Sequence, residues 1–500
     1  MISYKQLSLA DFFTDCQNKF DNDKYQFLSL LDQTVNLDEI VPVSFVSHFN
    51  AVTGRPRRHL LYPMLKALLL QLIFSIPTTS LLIVFLKYSQ ELRDFCGFDV
   101  VPDASKFTRF KQDFLLDLQS MFDHLVDLTE PICQRIDTEK ASMLLFDTSG
   151  IEAWVIENNP KYANRIIKQL KAFKKAKGLS DSYDPYKAAY SSMPPHAAAN
   201  PAIQQMHING HFCYAFKFGI LTNGLGIVRD ITFYNKAFLS AHPDIIVDKK
   251  TDSPDEDKSL ADSKALIPVL KDFFAKHPLI NPKTFLGDAA FDSTQIYKYL
   301  LQDTSFEKAY IPLKNKLCIE GIDYTVNEEG IPCCPKDPSL PMKREGSKSH
   351  LRCGLPTMKF VCPKMKWEYN KSDRSSRRVC HCDNPCTSSC GRMIYIYPEQ
   401  NLRAYPGTIR GTEEWDSTYK IRVNVEKAIN HLKDSFCVAG RRTQNEETSH
   451  ADLLLAGITQ LITVIVADKL HKHHKAIRFI MSCRQMPPSV LLTRYKILFP

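Results

Sequence analysis

Four polar residues in the stretch STYKIRVNVEKAINHLKD have side chains that can bind ions or phosphates: Tyr419, Arg422, Glu426 and Lys433. In an α-helix, which turns by about 100° per residue, their spacing puts all four on one narrow face. The apolar residues of the stretch occupy a separate face, as in an amphipathic helix packed against a core. A carboxylate between two cations is either part of a binding site or one row of a salt-bridged surface. The helix alone allows both interpretations.

Two further carboxylates follow short apolar runs that are typical of buried strands. SMLLFD ends at Asp147, and KTFLGD ends at Asp288. In an open sheet with parallel strands, strand ends and neighbouring helix starts meet at one rim, where sites usually form. We therefore expect Asp147, Asp288 and Glu426 to come together.

Three carboxylates at one site repel one another unless a cation lies between them. Two like charges about 4 Å apart repel by roughly 4 kcal/mol at an effective dielectric near 20. Hard oxygen ligands with few His or Cys nearby suit Mg²⁺ or Mn²⁺, and a pair of such ions can activate water and stabilise a leaving oxygen at phosphorus. The triad indicates phosphodiester chemistry, but a chain with 55 acidic residues offers many other combinations, such as helix caps and surface ions.

The composition agrees with a globular protein of more than one domain. The chain has 500 residues, of which 44% are hydrophobic and 24% are charged. Its net charge of +9 permits a polyanionic partner without requiring one. Seven Lys or Arg and no acidic residue lie between Lys161 and Lys177. Such a cluster is typical of a nucleic-acid-binding surface and equally of a solvated surface helix.

Two apolar segments are long enough to be considered as membrane spans. Pro77 interrupts the first, from Ala67 to Leu86, and the Thr and Ser after it can cap a new helix, which favours two buried helices. The second, from Ala451 to Leu470, contains two aspartates, as expected of a core helix. The opening MISYKQLSLADFF lacks a basic start followed by an apolar run, so we expect neither secretion nor a membrane partner.

The remaining pattern predicts helices and strands that alternate. The first 135 residues or so have helical periodicity. HFCYAFKFGILTN and GIVRDITFYN predict a hairpin across Asn223 and Gly224, followed by a helix in SLADSKALIPVLKDFFAKH. From about Pro312 to Tyr405 the chain is rich in Pro, Cys and basic residues with little periodicity, which indicates an inserted module.

Eight of the fifteen cysteines lie between Cys333 and Cys390 in that module, a clustering that favours a metal over a disulfide framework. They provide thiolates for one or two tetrahedral Zn²⁺ sites. The spacing is not a clean pair of CxxC motifs, so buried free thiols remain the alternative. The predicted zinc ligands are Cys362, Cys380, Cys382, Cys386 and Cys390, with Cys333, Cys334 and Cys353 upstream.

The pattern Tyr419-x2-Arg422-x3-Glu426-x6-Lys433 resembles the Y-R-E-K signature of DDE transposases encoded by bacterial insertion sequences. The resemblance extends to LLFDTSGIEA, to FLGDAAFDS and to the segment SSCGRMIYIYPEQNLRAYPGTIRGTEEW before the signature helix. GRPRRHLLYPMLKALLLQ and PDASKFTRFKQDF resemble the N-terminal helical domain of these enzymes. Together these segments extend the resemblance over most of the chain.

The resemblance implies an α/β fold with a ribonuclease-H-like mixed sheet flanked by helices, an N-terminal helical domain and a Cys-rich insertion. In that fold Asp147, Asp288 and Glu426 would hold two Mg²⁺ or Mn²⁺ ions. Arg422 and Lys433 would contact phosphates of the transposon end, and the family's Tyr, here Tyr419, would position the backbone beside the scissile bond.

Three details of the resemblance concern single positions. Phe291 lies where the family often has an aromatic residue that could stack on a displaced base, although a core Phe is the simpler interpretation. Lys217, in the strand YAFKFG, either reaches DNA or points to water. Thr148 and Ser149 follow Asp147 where the family frequently has a small Gly or Ser and then Thr, which leaves the predicted metal ligand unchanged.

The predicted domains follow from these patterns. Residues 1–135 form a helical DNA-binding and assembly domain, and residues 136–311 and 406–470 form the catalytic core. A basic, Pro- and Ala-rich insertion at about 158–201 interrupts the first part of the core. Residues 312–405 form the Cys-rich insertion, and residues 471–500 form a tail.

We therefore predict a bacterial transposase that binds double-stranded DNA at terminal inverted repeats, hydrolyses the phosphodiester at the ends and joins them to target DNA. The pairing of two ends implies a homodimer in the DNA complex, and we expect a cytoplasmic, nucleoid-associated protein. Two alternatives are a catalytically inactive or repurposed zinc-containing DNA-binding protein and an ordinary nuclease with the same metal site.

Overall fold

The computed structural model describes residues 27–50, 57–208, 211–245, 260–314, 324–327, 330–349, 356–371, 374–387, 391–396 and 402–469. The predictions for Cys353, Cys390 and the tail 471–500 lie outside the described residues. Within them the chain has a mixed α/β fold with helices and a mixed sheet, which confirms the predicted fold class at that level.

The α-helices are numbered along the chain. They are α1 (Phe27–Thr34), α2 (Leu37–Ile40), α3 (Val43–Phe49), α4 (Leu61–Ile73), α5 (Thr79–Tyr88), α6 (Gln90–Cys96), α7 (Ala104–Asp113), α8 (Leu115–Ile136), α9 (Thr138–Ala141), α10 (Pro160–Lys177), α11 (Pro185–Ser192), α12 (Lys236–Ala241), α13 (Asp262–Lys276), α14 (Thr294–Lys298), α15 (Glu413–Tyr419), α16 (Val423–Asn430) and α17 (Glu446–Lys469).

The strands are numbered in the same way. They are β1 (Met143–Glu152), β2 (Gln204–Ile208), β3 (His211–Asn223), β4 (Val228–Phe233), β5 (Thr284–Leu286), β6 (Lys308–Tyr310), β7 (Cys333–Cys334), β8 (Asp337–Pro341), β9 (Lys343–Ser349), β10 (Pro356–Val361), β11 (Met365–Asn370), β12 (Ser375–Cys380) and β13 (Met393–Ile396).

The chain divides into two compact units. The larger unit comprises Met1–Thr138, Thr148–Ala261 and Lys427–Pro500, and the smaller unit comprises Glu139–Asp147 and Asp262–Glu426. The strand β1 belongs to both, because its residues up to Asp147 count with the smaller unit and those from Thr148 count with the larger.

Helix α17 is the central core helix of the larger unit. It is long and apolar enough to cross a membrane, but 89% of its most apolar window is buried inside the protein, as expected of a core helix. Its Gln460 side chain accepts a hydrogen bond from the Val228 backbone (2.9 Å) and donates one to the Gly226 carbonyl (3.2 Å). These bonds satisfy a buried amide and join α17 to the turn before β4.

A buried ion pair joins α17 to α7 in the same unit. The Lys111 ammonium lies 2.5 Å from the Asp452 carboxylate, and both side chains are almost fully buried. Arg441 adds a second cation 3.8 Å from Asp452. The segment from Ala67 to Leu86 forms α4 and α5 with a break at Ile76 to Thr78, which confirms two helices in place of one span.

The strands of the larger unit confirm the predicted hairpin. β3 pairs antiparallel with β2 near its start and with β4 near its end. The predicted basic segment forms the exposed helix α10, and the Pro- and Ala-rich stretch after it, predicted to be loop-like, includes α11. The loop prediction missed α11 because Pro185 fits the first turn of a helix.

The smaller unit holds the parallel part of the sheet. β1 pairs with β5, and β5 pairs with β6, both in parallel, with Leu145, Leu286 and Tyr310 in register. The predicted helix after the hairpin is α13, and the predicted strand before Asp288 is β5.

The segment predicted to have little periodicity contains strands in the described residues. β9, β10 and β13 form one antiparallel sheet, and two hairpins pair β7 with β8 and β11 with β12. β9 and β12 are mostly polar or charged and lack the apolar alternation that marks a half-buried strand, whereas β11 alternates Met365, Trp367 and Tyr369 with polar residues but is mostly exposed. A shared core of Met342, Met358, Phe360, Cys362, Ile394, Ile396, Ala404, Tyr405 and Ile409 supports the three-stranded sheet.

The predicted end of β1 was wrong. β1 does not end at Asp147 but continues to Glu152, and it pairs with β3 as well as with β5. Gly150 lies in this continuation, where a Cβ would approach the end of the Ile208 side chain to 2.6 Å.

The signature segment is also not one regular helix. α15 ends at Tyr419, a 3-10 turn spans Lys420–Arg422, α16 follows, and a π turn spans His431–Ser435. Within the π turn, Lys433 donates to the Ser149 hydroxyl (3.2 Å), and the Ser435 carbonyl accepts a hydrogen bond from the Ser75 hydroxyl (2.6 Å).

Candidate active site

The register of the parallel strands brings two of the predicted carboxylates to the same end of the smaller unit's sheet. Leu145 of β1 pairs with Leu286 of β5. Asp147 lies two residues after Leu145, and Asp288 lies two residues after Leu286. Since neighbouring parallel strands advance together, the two aspartates leave the paired region side by side.

Asp288 begins a short turn that fixes its carboxylate. Its Oδ1 atom accepts a hydrogen bond from the Ala290 backbone amide at 2.8 Å, which caps the 3-10 turn Ala289–Phe291. Burial raises the pKa of Asp288, while the Ala290 amide and the Arg422 guanidinium act in the opposite direction. Keeping this carboxylate ionised in the folded protein therefore costs free energy.

Phe291 is the last residue of this turn. Its side chain is fully buried and packs edge to face against Phe146, with ring centroids 5.4 Å apart. Phe146 is the residue before Asp147, so this contact ties the two carboxylate-bearing segments together. The interpretation of Phe291 as a core residue is confirmed.

Arg422 joins the third carboxylate to the first. Its Nη1 atom lies 2.5 Å from Glu426 Oε1, and its Nη2 atom lies 3.2 Å from Asp147 Oδ2. The guanidinium is mostly buried, Asp147 is 19% exposed and Glu426 is 47% exposed. Burial opposes the charge on Arg422, but the surrounding negative groups outweigh it and raise its pKa.

Tyr419 lies in the same electrostatic neighbourhood. Its ring stacks on Trp415, with centroids 4.7 Å apart and planes 20° apart. Burial raises the pKa of the Tyr419 hydroxyl, and Asp288, Glu426 and Asp147 raise it further against the effect of Arg422. The hydroxyl therefore stays protonated and can donate a hydrogen bond.

The arrangement brings three carboxylates around one cation. Asp147 and Glu426 form ion pairs with Arg422, and the negative charge of Asp288 contributes to the raised pKa of Arg422. In the part of the chain that is described, no three His, Cys, Asp or Glu side chains already have an arrangement that would hold a metal ion. The oxygen-only donor set nevertheless fits Mg²⁺ or Mn²⁺ in kind, and Arg422 supplies the positive charge that such a set requires.

The two lysines of the predicted site lie in the larger unit and have protein partners there. Lys433 is 9% exposed and donates to the Ser149 hydroxyl. Burial lowers the pKa of Lys433, whereas Asp434, Cys213 and Glu152 raise it. Lys217 is half-buried and donates to the Leu260 carbonyl at 2.7 Å.

The described cysteines of the predicted zinc set lie in the smaller unit. Cys362 is buried, and Cys380, Cys382 and Cys386 are half-buried. Burial raises the pKa of the Cys362 and Cys386 thiols, and the nearby thiol of Cys334 contributes to both shifts. Cys334, which lies upstream of the predicted ligand set in the sequence, therefore lies near Cys362 and Cys386.

Sequence reasoning missed the pairing of Arg422 with Asp147. The spacing of Arg422 and Glu426, four residues apart on a helix, is a recognisable signal for an ion pair. Its other partner, Asp147, lies 275 residues earlier in the chain, and no sequence pattern indicates that pairing. Reasoning from the sequence also missed Trp154, an exposed ring that carries the Arg442 guanidinium 4.7 Å from its centroid.

A comparison with family models finds one match in the N-terminal part of the chain. Residues 15–113 match the model described as Transposase domain (DUF772), which is about a fifth of the 500 residues. No curated protein matches the chain.

Among solved structures, one similar chain is that in the cryo-EM structure of the piggyBac transposase synaptic complex with hairpin DNA. The two are 11% identical, and the match covers 95% of this chain and 81% of that chain with a TM-score of 0.35. A TM-score of this size is too low to establish a common fold.

The raised pKa of Asp288 predicts that this carboxylate destabilises the fold near neutral pH. A carboxyl group whose folded pKa exceeds its unfolded value of 3.8 lowers stability as the pH rises through the window above 3.8. In metal-free buffer with EDTA, Asp288→Asn should therefore increase the free energy of unfolding at pH 7. The gain should vanish below about pH 4, and Asn can still accept the Ala290 bond. Urea unfolding at several pH values measures both effects.

Asp292→Asn is the matched control, four residues later. The Asp292 carboxylate is fully buried and accepts bonds from Arg403 at 2.9 and 2.6 Å. Its replacement should cost roughly 2–3 kcal/mol, since these are hydrogen bonds to a charged group. If both variants lose the same free energy of unfolding at pH 7, the conclusion that the Asp288 carboxylate destabilises the fold is contradicted.

Proposed function

We propose that the protein is a DNA transposase of the DDE type, with a ribonuclease-H-like core. The observation that carries the proposal is that Arg422 pairs with both Asp147 and Glu426, while Asp288 follows the parallel strand β5 beside β1. The transposase-domain match in residues 15–113 supports the same class from an independent part of the chain. The mixed sheet, with parallel β1, β5 and β6 and antiparallel β2, β3 and β4, is compatible with the proposed core.

The three carboxylates would hold two Mg²⁺ or Mn²⁺ ions. When bound, such ions supply an activated water and stabilise the leaving oxygen of a phosphodiester. The ionised form of Asp288 would be stabilised by the metal, because a neighbouring cation would offset the burial that raises its pKa. Glu426 is the most exposed of the three and is therefore the most accessible to DNA.

Arg422 and Tyr419 would act on the DNA strand that is cut. Arg422 presents a planar guanidinium that can exchange a carboxylate oxygen for a phosphate oxygen without losing its charge. Tyr419 remains a neutral donor and can hydrogen-bond a phosphate beside the scissile bond. Lys433 and Lys217 are proposed as further DNA contacts, and each would have to leave its present partner, Ser149 or Leu260.

The proposed reaction has two steps on double-stranded DNA. The enzyme binds the terminal inverted repeats and hydrolyses the phosphodiester at each end, and the released 3′ hydroxyls then attack target DNA. Because two ends take part, we propose a homodimer in the DNA complex. A cytoplasmic, nucleoid-associated location in a bacterium follows from the same proposal.

Replacement of Glu426 tests the proposed chemistry most simply. With Mg²⁺ or Mn²⁺ and labelled DNA that carries the ends of its own element, the wild-type protein should cut at the ends. Glu426→Gln should reduce cleavage at least 100-fold, because an amide is a poor ligand for a hard cation. Glu413→Gln, on the exposed first turn of α15, is the matched control and should keep full activity.

The cleavage pattern also separates the alternatives. Specific binding without cleavage by the wild type would favour a repurposed DNA-binding protein. Cleavage at random positions would favour an ordinary nuclease. Full activity of Glu426→Gln would exclude the proposed role of the carboxylate triad.

Helix α10 provides a separate test of DNA binding. Its lysines include Lys168, Lys171 and Lys175, which are exposed on the larger unit. If they contact phosphates, each change to Gln should reduce the slope of log K against log salt by about one unit for end-containing DNA. Lys271→Gln, at an exposed position of α13, should leave the slope unchanged. Unchanged slopes for all the α10 variants would remove this helix from the DNA interface.

A further inference from the structure

The larger unit presents a tryptophan to the solvent, with an arginine beside it. The Trp154 side chain is 58% exposed, although it offers more apolar area for burial than most other side chains. The Arg442 guanidinium lies over its ring, 4.7 Å from the centroid, where the face of the ring attracts a cation. Tryptophan and arginine are both enriched at binding interfaces. The pair is therefore a candidate for contact with a partner.

Hydrogen bonds from two other segments of the larger unit hold the Trp154 backbone in place. The Trp154 amide donates to the Thr443 carbonyl (3.1 Å), and the Gln444 side chain donates to the Trp154 carbonyl (2.8 Å). The Asn200 side chain in turn donates to the Gln444 carbonyl (2.8 Å). The exposed ring thus stands on a support that is fixed from both sides, which lowers the entropy lost when a partner binds.

The arginine over the ring follows a buried one. Arg441 is buried and lies 3.8 Å from the buried Asp452 carboxylate, so it anchors this segment to α17. Arg442 is exposed, and in the part of the chain that is described it forms no ion pair. Its charge is therefore available to an anion that approaches the Trp154 ring.

The basic helix α10 begins close to the ring. A short 3-10 turn, Ile156–Asn158, follows Trp154, and the Asn158 side chain donates back to the Ala153 carbonyl (2.8 Å). α10 starts two residues after this turn and carries seven Lys or Arg and no acidic residue over a length of about 27 Å. The surface that continues from Trp154 is therefore suited to a polyanion.

Cations and aromatic rings also meet along α10 and α11. The Lys171 ammonium lies 4.5 Å from the centroid of the exposed Tyr186 ring and donates to its hydroxyl (2.7 Å). The Arg165 guanidinium lies 5.4 Å from the centroid of the Tyr162 ring. Proteins that bind unpaired nucleic acid combine cations for the phosphates with aromatic faces for the bases. A neutral ligand such as a sugar would use the rings but not the row of cations.

We propose that Trp154 and Arg442 bind an unpaired nucleotide of a nucleic-acid strand that continues along α10. The base stacks on the Trp154 ring, and the Arg442 guanidinium pairs with a neighbouring phosphate. The bases of a duplex already stack on one another, so this site favours a single strand. The inference goes beyond the proposed transposase chemistry, because it requires neither a metal ion nor cleavage.

The test is the affinity of the full-length protein for labelled single-stranded polythymidine in EDTA, measured by fluorescence anisotropy. Trp154→Ala should weaken binding at least about fivefold, because one stacked base is lost, whereas Trp154→Phe keeps a ring and should retain most of the affinity. Arg442→Gln should reduce the slope of log K against log salt by about 0.7 unit. Affinity for duplex DNA should be the same for Trp154→Ala and the wild type. Equal weakening for duplex and single strand would overturn the proposal.

Trp367→Ala is the matched control. Trp367 is 62% exposed and has the Arg378 guanidinium 4.6 Å from its ring centroid, but Glu345 pairs with that arginine and compensates its charge. Its replacement should leave the affinity for polythymidine unchanged. Unchanged affinity in Trp154→Ala, or a wild type that does not bind polythymidine, would overturn the proposal.

Tryptophan fluorescence tests the stacking itself. The chain has three tryptophans, Trp154, Trp367 and Trp415. Polythymidine should quench the fluorescence of the wild type and of Trp367→Phe, but not that of Trp154→Phe, which still binds the strand. Quenching that persists in Trp154→Phe would overturn the assignment. None of these measurements involves cleavage, so the proposed transposase activity can fail while this inference holds, and the reverse.

Discussion

The interaction on which the candidate site depends is the double ion pair of Arg422 with Asp147 and Glu426. Three carboxylates cannot approach one another without a compensating positive charge, since each pair of like charges costs several kcal/mol at short distance. Arg422 supplies that charge from within the chain. It also connects the sheet of the smaller unit to the signature helix, because its two partners lie on β1 and α16. The fold thus keeps two of these carboxylates close together by burying one guanidinium.

The rest of the smaller unit keeps these groups in place. The parallel register of β1 and β5 puts Asp147 and Asp288 at matching positions two residues past Leu145 and Leu286, and the packing of Phe146 on Phe291 fixes the turn that begins at Asp288. The break between α15 and α16 gives Arg422 a position from which it reaches both carboxylates. Burial raises the pKa of Asp288 in spite of this support. Ionisable groups whose burial destabilises the folded protein are common at functional sites.

Much of the architecture was accessible from the sequence because local patterns determine it. The alternation in HFCYAFKFGILTN and the Asn223-Gly224 pair predicted the β3–β4 hairpin correctly, and Pro77 correctly separated α4 from α5. The end of β1 was wrong because strand length depends on the partner strand β3, which lies more than 60 residues later. The pairing of Arg422 with Asp147 is a long-range contact of the same kind. It has no local pattern, so only the fold reveals it.

The most direct test of the central claim is anomalous diffraction from crystals of the wild-type protein soaked in Mn²⁺. The account predicts an anomalous peak coordinated by carboxylate oxygens of Asp147, Asp288 and Glu426. It also predicts that Arg422 releases at least one of its two carboxylates when the metal supplies the positive charge. Mn²⁺ bound elsewhere, with Arg422 still paired to both Asp147 and Glu426, would contradict the account. In that case the carboxylates would form a structural ion-pair network.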